Sequence, residues 1–179
     1  MSSSIQTYNN KYFDIFNPDI GSINIEDIAH SLSNTCRFGG HTNQFYSVAE
    51  HSVYVSNLCQ HQNKLWGLLH DAGEAYVGDI PTPIKRQFPL ISQLEDKIME
   101  LVCEKFGLNK NKPKEIKEND TIMLVSERHS LLTVDEASND YWAEHDGVVV
   151  LQLPRDYGWN PDKARHMFLM KFGNLYETV

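Results

Sequence analysis

Cysteine is scarce in this sequence, and the few present do not form pairs. Cys36, Cys59 and Cys103 are all there are. They lie far apart with no Cys-x-x-Cys, which argues against a disulfide framework and a zinc ribbon and points to a reducing compartment. Basic residues are also few: 16 Lys and Arg stand against 24 Asp and Glu, for a net charge of −8. Duplex binding draws most of its affinity from phosphate neutralisation, so a sequence-indifferent nucleic-acid coat is excluded. No run approaches the ~18 apolar residues of a membrane span. Met1-Ser2-Ser3-Ser4 lacks the basic start and apolar stretch of a signal peptide. Repeats, low-complexity blocks and long linkers are missing too. These absences predict a soluble, cytoplasmic protein with neither a membrane nor a nucleic-acid polymer as partner. They also predict a single domain over residues 1–179, since domains commonly run to about 100–200 residues.

What is plentiful is histidine, with eight copies, and helical periodicity. Histidine is the commonest metal ligand and titrates nearest neutrality, so an acidic, His-rich chain raises the prior for a metal site. The first 20 residues read as irregular structure or a short strand pair. Asn24 then opens a helix with Ile25, Ile28, Ala29 and Leu32 on one face, ending near Gly39-Gly40. Ser47 with Glu50 reads as a capping box for a helix over about 48–60. A helix over 62–77 carries Leu65, Leu68, Leu69 and Tyr76 and is stopped by Gly78. Pro81 and Pro83 predict a rigid loop. Leu90 to Phe106 is amphipathic with Gly107 as its C-cap, Pro113 opens a helix to about Leu132, and Asn160-Pro161 starts the last. Residues 147–153 are the one strand candidate in the later chain. The fold class is all-α.

The chemistry centres on His70-Asp71, two polar residues inside the apolar run Leu68–Ala72. Burying an ionised carboxylate costs several kcal/mol unless it is paired or binds a metal. Taken alone, a helix-embedded His and Asp with local partners is the commoner case. His51, between Val48 and Val55, and Asp120, between Ile116 and Leu124, also point inward from other helices. Together, His51, His70, Asp71 and Asp120 form a mixed nitrogen and oxygen set suited to a divalent transition ion with places left for water. Mn²⁺, Co²⁺, Ni²⁺, Fe²⁺ and Zn²⁺ are the candidates. With no thiolates, the set is not a structural zinc site.

This H…HD…D pattern resembles the HD-domain metal-dependent phosphohydrolases, which are helical bundles. The likeness extends through Cys36-Arg37-Phe38-Gly39-Gly40-His41, Phe45 to Ser52, His70 to Ala75 and Gly78 to Lys85. It covers roughly residues 12–175 and is similar to a short phage and prophage branch. That branch is akin to the bacterial 5′-deoxynucleotidases and to the phage dATP triphosphohydrolases, which clear dATP when 2-aminoadenine replaces adenine in the phage genome. The resemblance implies His51, His70, Asp71 and Asp120 as metal ligands and Glu74 as general acid or base. Asp79 and Arg37 would assist, and Phe38, His41, Ile80, Pro81, Thr82 and Lys85 would meet the substrate. Outside that resemblance, Glu74 reads as an exposed helix carboxylate, Asp79 as a turn residue and Arg37 as a surface cation. His41 reads as a loop residue capping backbone, and Lys85 with Arg86 as solvated. Phe38 stands where the deoxynucleotidases carry Trp. His30, His61, His129, His145 and His166 have no constellation around them.

The implied reaction is attack by ion-activated water on the phosphorus attached to O5′. Arg37 would neutralise phosphoryl oxygens and Glu74 would manage the proton. The favoured substrate is dATP, cleaved to deoxyadenosine and tripolyphosphate, with added Mg²⁺ riding on the triphosphate; the alternative is a deoxynucleoside monophosphate. A reading of another class is an inactive HD module that only binds nucleotide. The resemblance also implies a homo-oligomer, dimer or hexamer, and the aromatics Tyr141, Trp142 and Trp159 are candidates for core or interface.

Overall fold

The computed structural model describes residues 3–133 and 142–177; Tyr141 lies outside them. Two short strands, β1 (Ser4–Gln6) and β2 (Tyr12–Asp14), pair antiparallel with Ile5 opposite Phe13. The other regular elements among the described residues are helical, so the all-α class holds. The helices are α1 (Ile25–Asn34), α2 (Val48–Leu58), α3 (Lys64–Leu69), α4 (Glu74–Val77), α5 (Thr82–Gln87), α6 (Pro89–Phe106), α7 (Lys114–Leu131) and α8 (Pro161–Tyr176). No helix among the described residues is long and apolar enough to cross a membrane.

α2 is the central element, with every residue from Val48 to Ser56 buried and with α1, α3, α7 and α8 packed around it. A helix buried on all sides cannot show a clean amphipathic stripe, and its polar residues must find partners inside the protein. α3 approaches α2 closely at Gly67. A methyl group there would fall 2.7 Å from Cys59 Sγ and 3.1 Å from Ser56 Cα. This contact seats α3 against the C-terminal end of α2.

Several expectations need correction. α1 stops at Asn34, because Thr35 turns extended and its carbonyl takes the Val48 N–H at 3.0 Å. Arg37–Gly40 is a separate 3-10 turn, with Phe38 and Gly39 in the left-handed region at φ 53° and 59°. The single helix over 62–77 is broken into α3 and α4. Between them the bonds tighten to the i→i+3 kind, such as Ala72 N–H to Leu69 O and Glu74 N–H to Asp71 O, so His70-Asp71 lies in a turn rather than mid-helix. The Pro81/Pro83 loop is instead the start of α5, since proline is tolerated where helix N–H groups have no partner anyway. Residues 147–153 form no strand; the Leu151 N–H goes to the Ser126 hydroxyl at 2.8 Å, not to a sheet.

Only half of the predicted capping box forms. Ser47 Oγ accepts the Glu50 N–H at 3.2 Å, but the Glu50 carboxylate turns away to Gly158, Trp159 and Tyr54. Trp159 belongs to the core, 5% exposed. Asn160 caps α8, Gly107 ends α6 in the left-handed conformation and Asn24 caps α1, as the sequence predicts.

Candidate metal centre and its cavity

His51 reaches from the middle of α2 and is fully buried. Its Nδ1 lies 2.6 Å from Glu127 Oε1 on α7. A carboxylate only accepts, so Nδ1 carries the proton and Nε2 presents a lone pair in the neutral ring. His70, in the turn after α3, has its Nδ1 2.8 Å from the Gly67 carbonyl, which fixes the same tautomer. The two Nε2 atoms then face each other at 3.3 Å. Two lone pairs repel, so this arrangement calls for a cation beside them, either a proton or a metal ion.

Carboxylates gather around that point. Asp120 Oδ1 is 3.1 Å from His51 Nε2 and 3.8 Å from His70 Nε2. Asp71 Oδ2 is 3.2 Å from His70 Nε2 and 3.7 Å from His51 Nε2. One ligand atom each from His51, His70 and Asp120 falls within 4.8 Å of the others, so these three residues are placed to hold a metal ion. The donor chemistry fits an intermediate divalent ion. The partners behind each imidazole, Glu127 and the Gly67 carbonyl, aim the ring as outer-shell groups do in metal centres.

The charges answer one another. Burial works against a charged His70, yet Asp71 and Asp120 outweigh it and push its pKa up to about 10. His51 is also raised: burial and Arg37 oppose, and Glu127 with Asp120 prevails. Asp71 and Asp120 fall below the usual carboxylate range, since the imidazoles overcome the cost of burial. Behind this group Glu127, wholly buried, also takes the Tyr46 hydroxyl at 2.9 Å and Arg37 at 3.1 Å. Burial would discharge the guanidinium, but Glu127 and the site's aspartates hold it charged.

A cavity of about 490 Å³ opens beside the cluster, with His70, Asp71, Glu74, Lys85, Glu95 and Trp66 in its wall. Glu74 begins α4 and is buried. Its Oε1 meets Lys85 Nζ at 3.2 Å, while its Oε2 has no hydrogen-bond partner. Burial, then the charges of Asp71 and Asp79, lift its pKa well above the usual range. Asp79 is half-buried and is raised by burial, with Arg37 opposing and Asp71 adding. Lys85 is not solvated; it is clamped between Glu74 and Glu95, the latter at 2.9 Å. Phe38, His41, Ile80, Pro81 and Thr82 do not line this cavity. His41 is exposed, its N–H bonded to the Phe38 carbonyl, and Arg37 lies behind His51 through Glu127.

Sequence reasoning overlooked Glu127, Tyr46, Glu95 and Gly67. Glu127 had a usable signal, since it follows Asp120 by seven residues, two helical turns, and so shares its face. Glu95 had none, because its partner Lys85 comes from a different helix.

No family model matches this sequence. The chain is 40% identical over 177 residues to the uncharacterized protein YfdR of Escherichia coli K12, spanning 98% of this chain and 97% of that protein. It is 35% identical over 155 residues to an uncharacterized protein of Rhodobacter capsulatus, spanning 78% and 79% of the two chains. The chain belongs to the family of these proteins.

Proposed function

We propose that this protein is an HD-domain metal-dependent phosphohydrolase that cleaves the bond between O5′ and the α-phosphorus of a deoxynucleotide. One observation carries the reading. Two imidazole lone pairs, each aimed from behind, converge with Asp71 and Asp120 beside a cavity that Glu74 lines, and one Glu74 carboxylate oxygen is buried without a partner.

His51, His70, Asp71 and Asp120 would hold the ion, Co, Mn, Zn, Ni or Fe in divalent form. Such an ion supplies Lewis acidity toward water and phosphoryl oxygen. Water adds its oxygen to the α-phosphorus, the P–O5′ bond breaks, and the O5′ oxygen leaves needing a proton. Glu74 supplies it, since burial and neighbouring carboxylates keep that group protonated well above the usual carboxylate range, and the proton the attacking water loses restores it. The resemblance assigns Arg37 and Asp79 to the phosphoryl group, although Arg37 is paired with Glu127 behind His51 and neither residue lines the cavity. The resemblance assigns Phe38, His41, Ile80, Pro81 and Thr82 to the sugar and base end, although none of them lines this cavity.

The resemblance makes dATP the substrate, giving deoxyadenosine and tripolyphosphate, with Mg²⁺ offsetting part of the triphosphate charge. A second reading, a 5′-deoxynucleotidase acting on monophosphates, is favoured by Lys85. This lysine is already neutralised by Glu74 and Glu95, which leaves less countercharge for β- and γ-phosphates. Product analysis across dNMPs and dNTPs with Mn²⁺ or Co²⁺ separates the two. Tripolyphosphate from dATP supports the first, and phosphate from dAMP with none from dATP supports the second. Fully metallated protein inert to every nucleotide overturns both in favour of an inactive nucleotide-binding module. The same reading implies a homo-oligomer, dimer or hexamer, which sedimentation tests.

A further inference from the structure

The cavity beside the metal centre has a second end. Trp66 on α3, with Lys110 and Lys112 from the loop between α6 and α7, lines it along with His70 and Asp71. Trp66 and His70 are four residues apart with helical backbone between them, so their side chains share one face, about 5–6 Å apart at Cβ. The loop is fastened to that face. Trp66 Nε1 donates to the Asn109 carbonyl at 2.9 Å, and the Leu108 N–H goes back to the Cys103 carbonyl at 2.8 Å. Asn109 Oδ1 in turn accepts the Asn111 N–H at 2.9 Å. Two lysines are thus presented by a tied loop on a wall that also carries a metal ligand.

Their charge is available. Lys85, the other cation in the wall, is held by Glu74 and Glu95. Lys112 pairs with no carboxylate among the described residues; its Nζ lies over the Trp66 ring, 5.6 Å from the centroid. Lys110 Nζ is 3.8 Å from Glu104, but the two side chains are 63% and 56% exposed, and such a pair holds its lysine weakly. Trp66 offers no platform for a base, since it is 6% exposed and its Nε1 is committed to the loop. Asp96 and Glu100 stand in the same wall, so an anion reaching this end needs both lysines to offset them. A single phosphoryl group bound at the metal supplies its charge at the His70 end. A chain of phosphates supplies charge at both ends.

We propose that Lys110 and Lys112 are specificity-determining residues that receive the distal phosphates of a nucleoside polyphosphate whose reacting phosphoryl group lies at the metal centre. The assignment rests on the phosphohydrolase reading above and deepens it: countercharge that Lys85 has already spent comes from the loop between α6 and α7. Lysine suits the task, since its ammonium is a point charge with three donors on a flexible stem.

The test is equilibrium dialysis of the full chain at one fixed free Mn²⁺ concentration, with radiolabelled tripolyphosphate and orthophosphate as probes. Wild type should prefer tripolyphosphate. Lys112→Ala and Lys110→Ala should each cut that preference by about threefold to fivefold, and the double variant by about tenfold or more. Lys112→Arg should keep it, because the role is one of charge. Both lysines are exposed, so these variants should fold. Equal affinity for the two probes in wild type, or a preference unchanged in the double variant, overturns the proposal. Hydrolysis assays separate it from the reading on which it rests. If the protein cleaves dAMP or dATP while the double variant keeps the preference, the lysine assignment fails and the phosphohydrolase stands. If it cleaves no nucleotide and the double variant loses the preference, the phosphohydrolase fails and the polyphosphate contact stands.

Discussion

Glu50 and His51 are neighbours on α2, both fully buried, and they organise opposite kinds of polar interior. Glu50 is surrounded by neutral donors: the Gly158 N–H at 2.9 Å, the Trp159 N–H at 2.8 Å and the Tyr54 hydroxyl at 3.0 Å. Burial drives its pKa up to about 7, against the pull of those donors. His51 is surrounded by Glu127, Asp71, Asp120, a second imidazole and, one step back, Arg37. That region is charged and open on one side, with the Asp120 side chain 36% exposed. In the first region both Glu50 oxygens are taken by donors, and they tie α2 to the segment that starts α8. The second has lone pairs and charges left over, and such a surplus is what a site requires.

The comparison breaks first at the ligands. Asp71→Ala or His70→Ala should remove stoichiometric Co²⁺ or Mn²⁺ by elemental analysis and lower turnover by on the order of 10³ or more. Full metal content and activity in either variant would sink the metal reading. Next, Glu127→Gln should weaken metal affinity by about 10–100-fold, measured by chelator competition, because His51 loses the acceptor that fixes its tautomer.

Glu50→Ala should leave that affinity unchanged. It strands the buried Gly158 and Trp159 N–H groups and should lower unfolding free energy by on the order of 2–5 kcal/mol. Its pH dependence has a definite sign. A carboxyl raised to about 7 in the folded chain binds more protons folded than unfolded between roughly pH 4.3 and 7. Stability from this group therefore falls as pH rises through that window. The gap between wild type and Glu50→Ala should be wider at pH 5 than at pH 8. A denaturant midpoint series showing the reverse would reject the raised carboxyl. The smallest effect belongs to the paired phenols. Tyr54→Phe should cost about 1 kcal/mol of stability with no change in metal affinity. Tyr46→Phe, which removes a donor to Glu127, should lower metal affinity by a few-fold.

Much of the fold was legible in the sequence because local chemistry encodes it. Asn24, Asn160 and Gly107 mark helix ends through caps that depend on adjacent residues only. His51, His70 and Asp120 were legible as inward-facing polar residues among apolar ones, and the structure brings them together. The break after Leu69 was not legible, since Leu68 to Tyr76 carries no Pro and its one Gly is compatible with a helix. Glu50 was misread because a Ser-x-x-Glu spacing predicts a reciprocal cap, while two N–H groups 108 and 109 residues away compete for the same carboxylate. His30 was set aside as lacking company, and its partner Tyr8 lies across the chain on the turn after β1.

The sequence by itself determined the all-α class, the principal helices and the candidate metal-binding residue types, because periodicity and capping act over a few residues. Tertiary structure alone decided which carboxylate stands behind which imidazole and that Lys85 is held between Glu74 and Glu95. It also decided that Glu50 faces α8 while its neighbour faces the site. These are contacts between distant segments, and their energies depend on burial and on the charges that folding brings near, which no local pattern records.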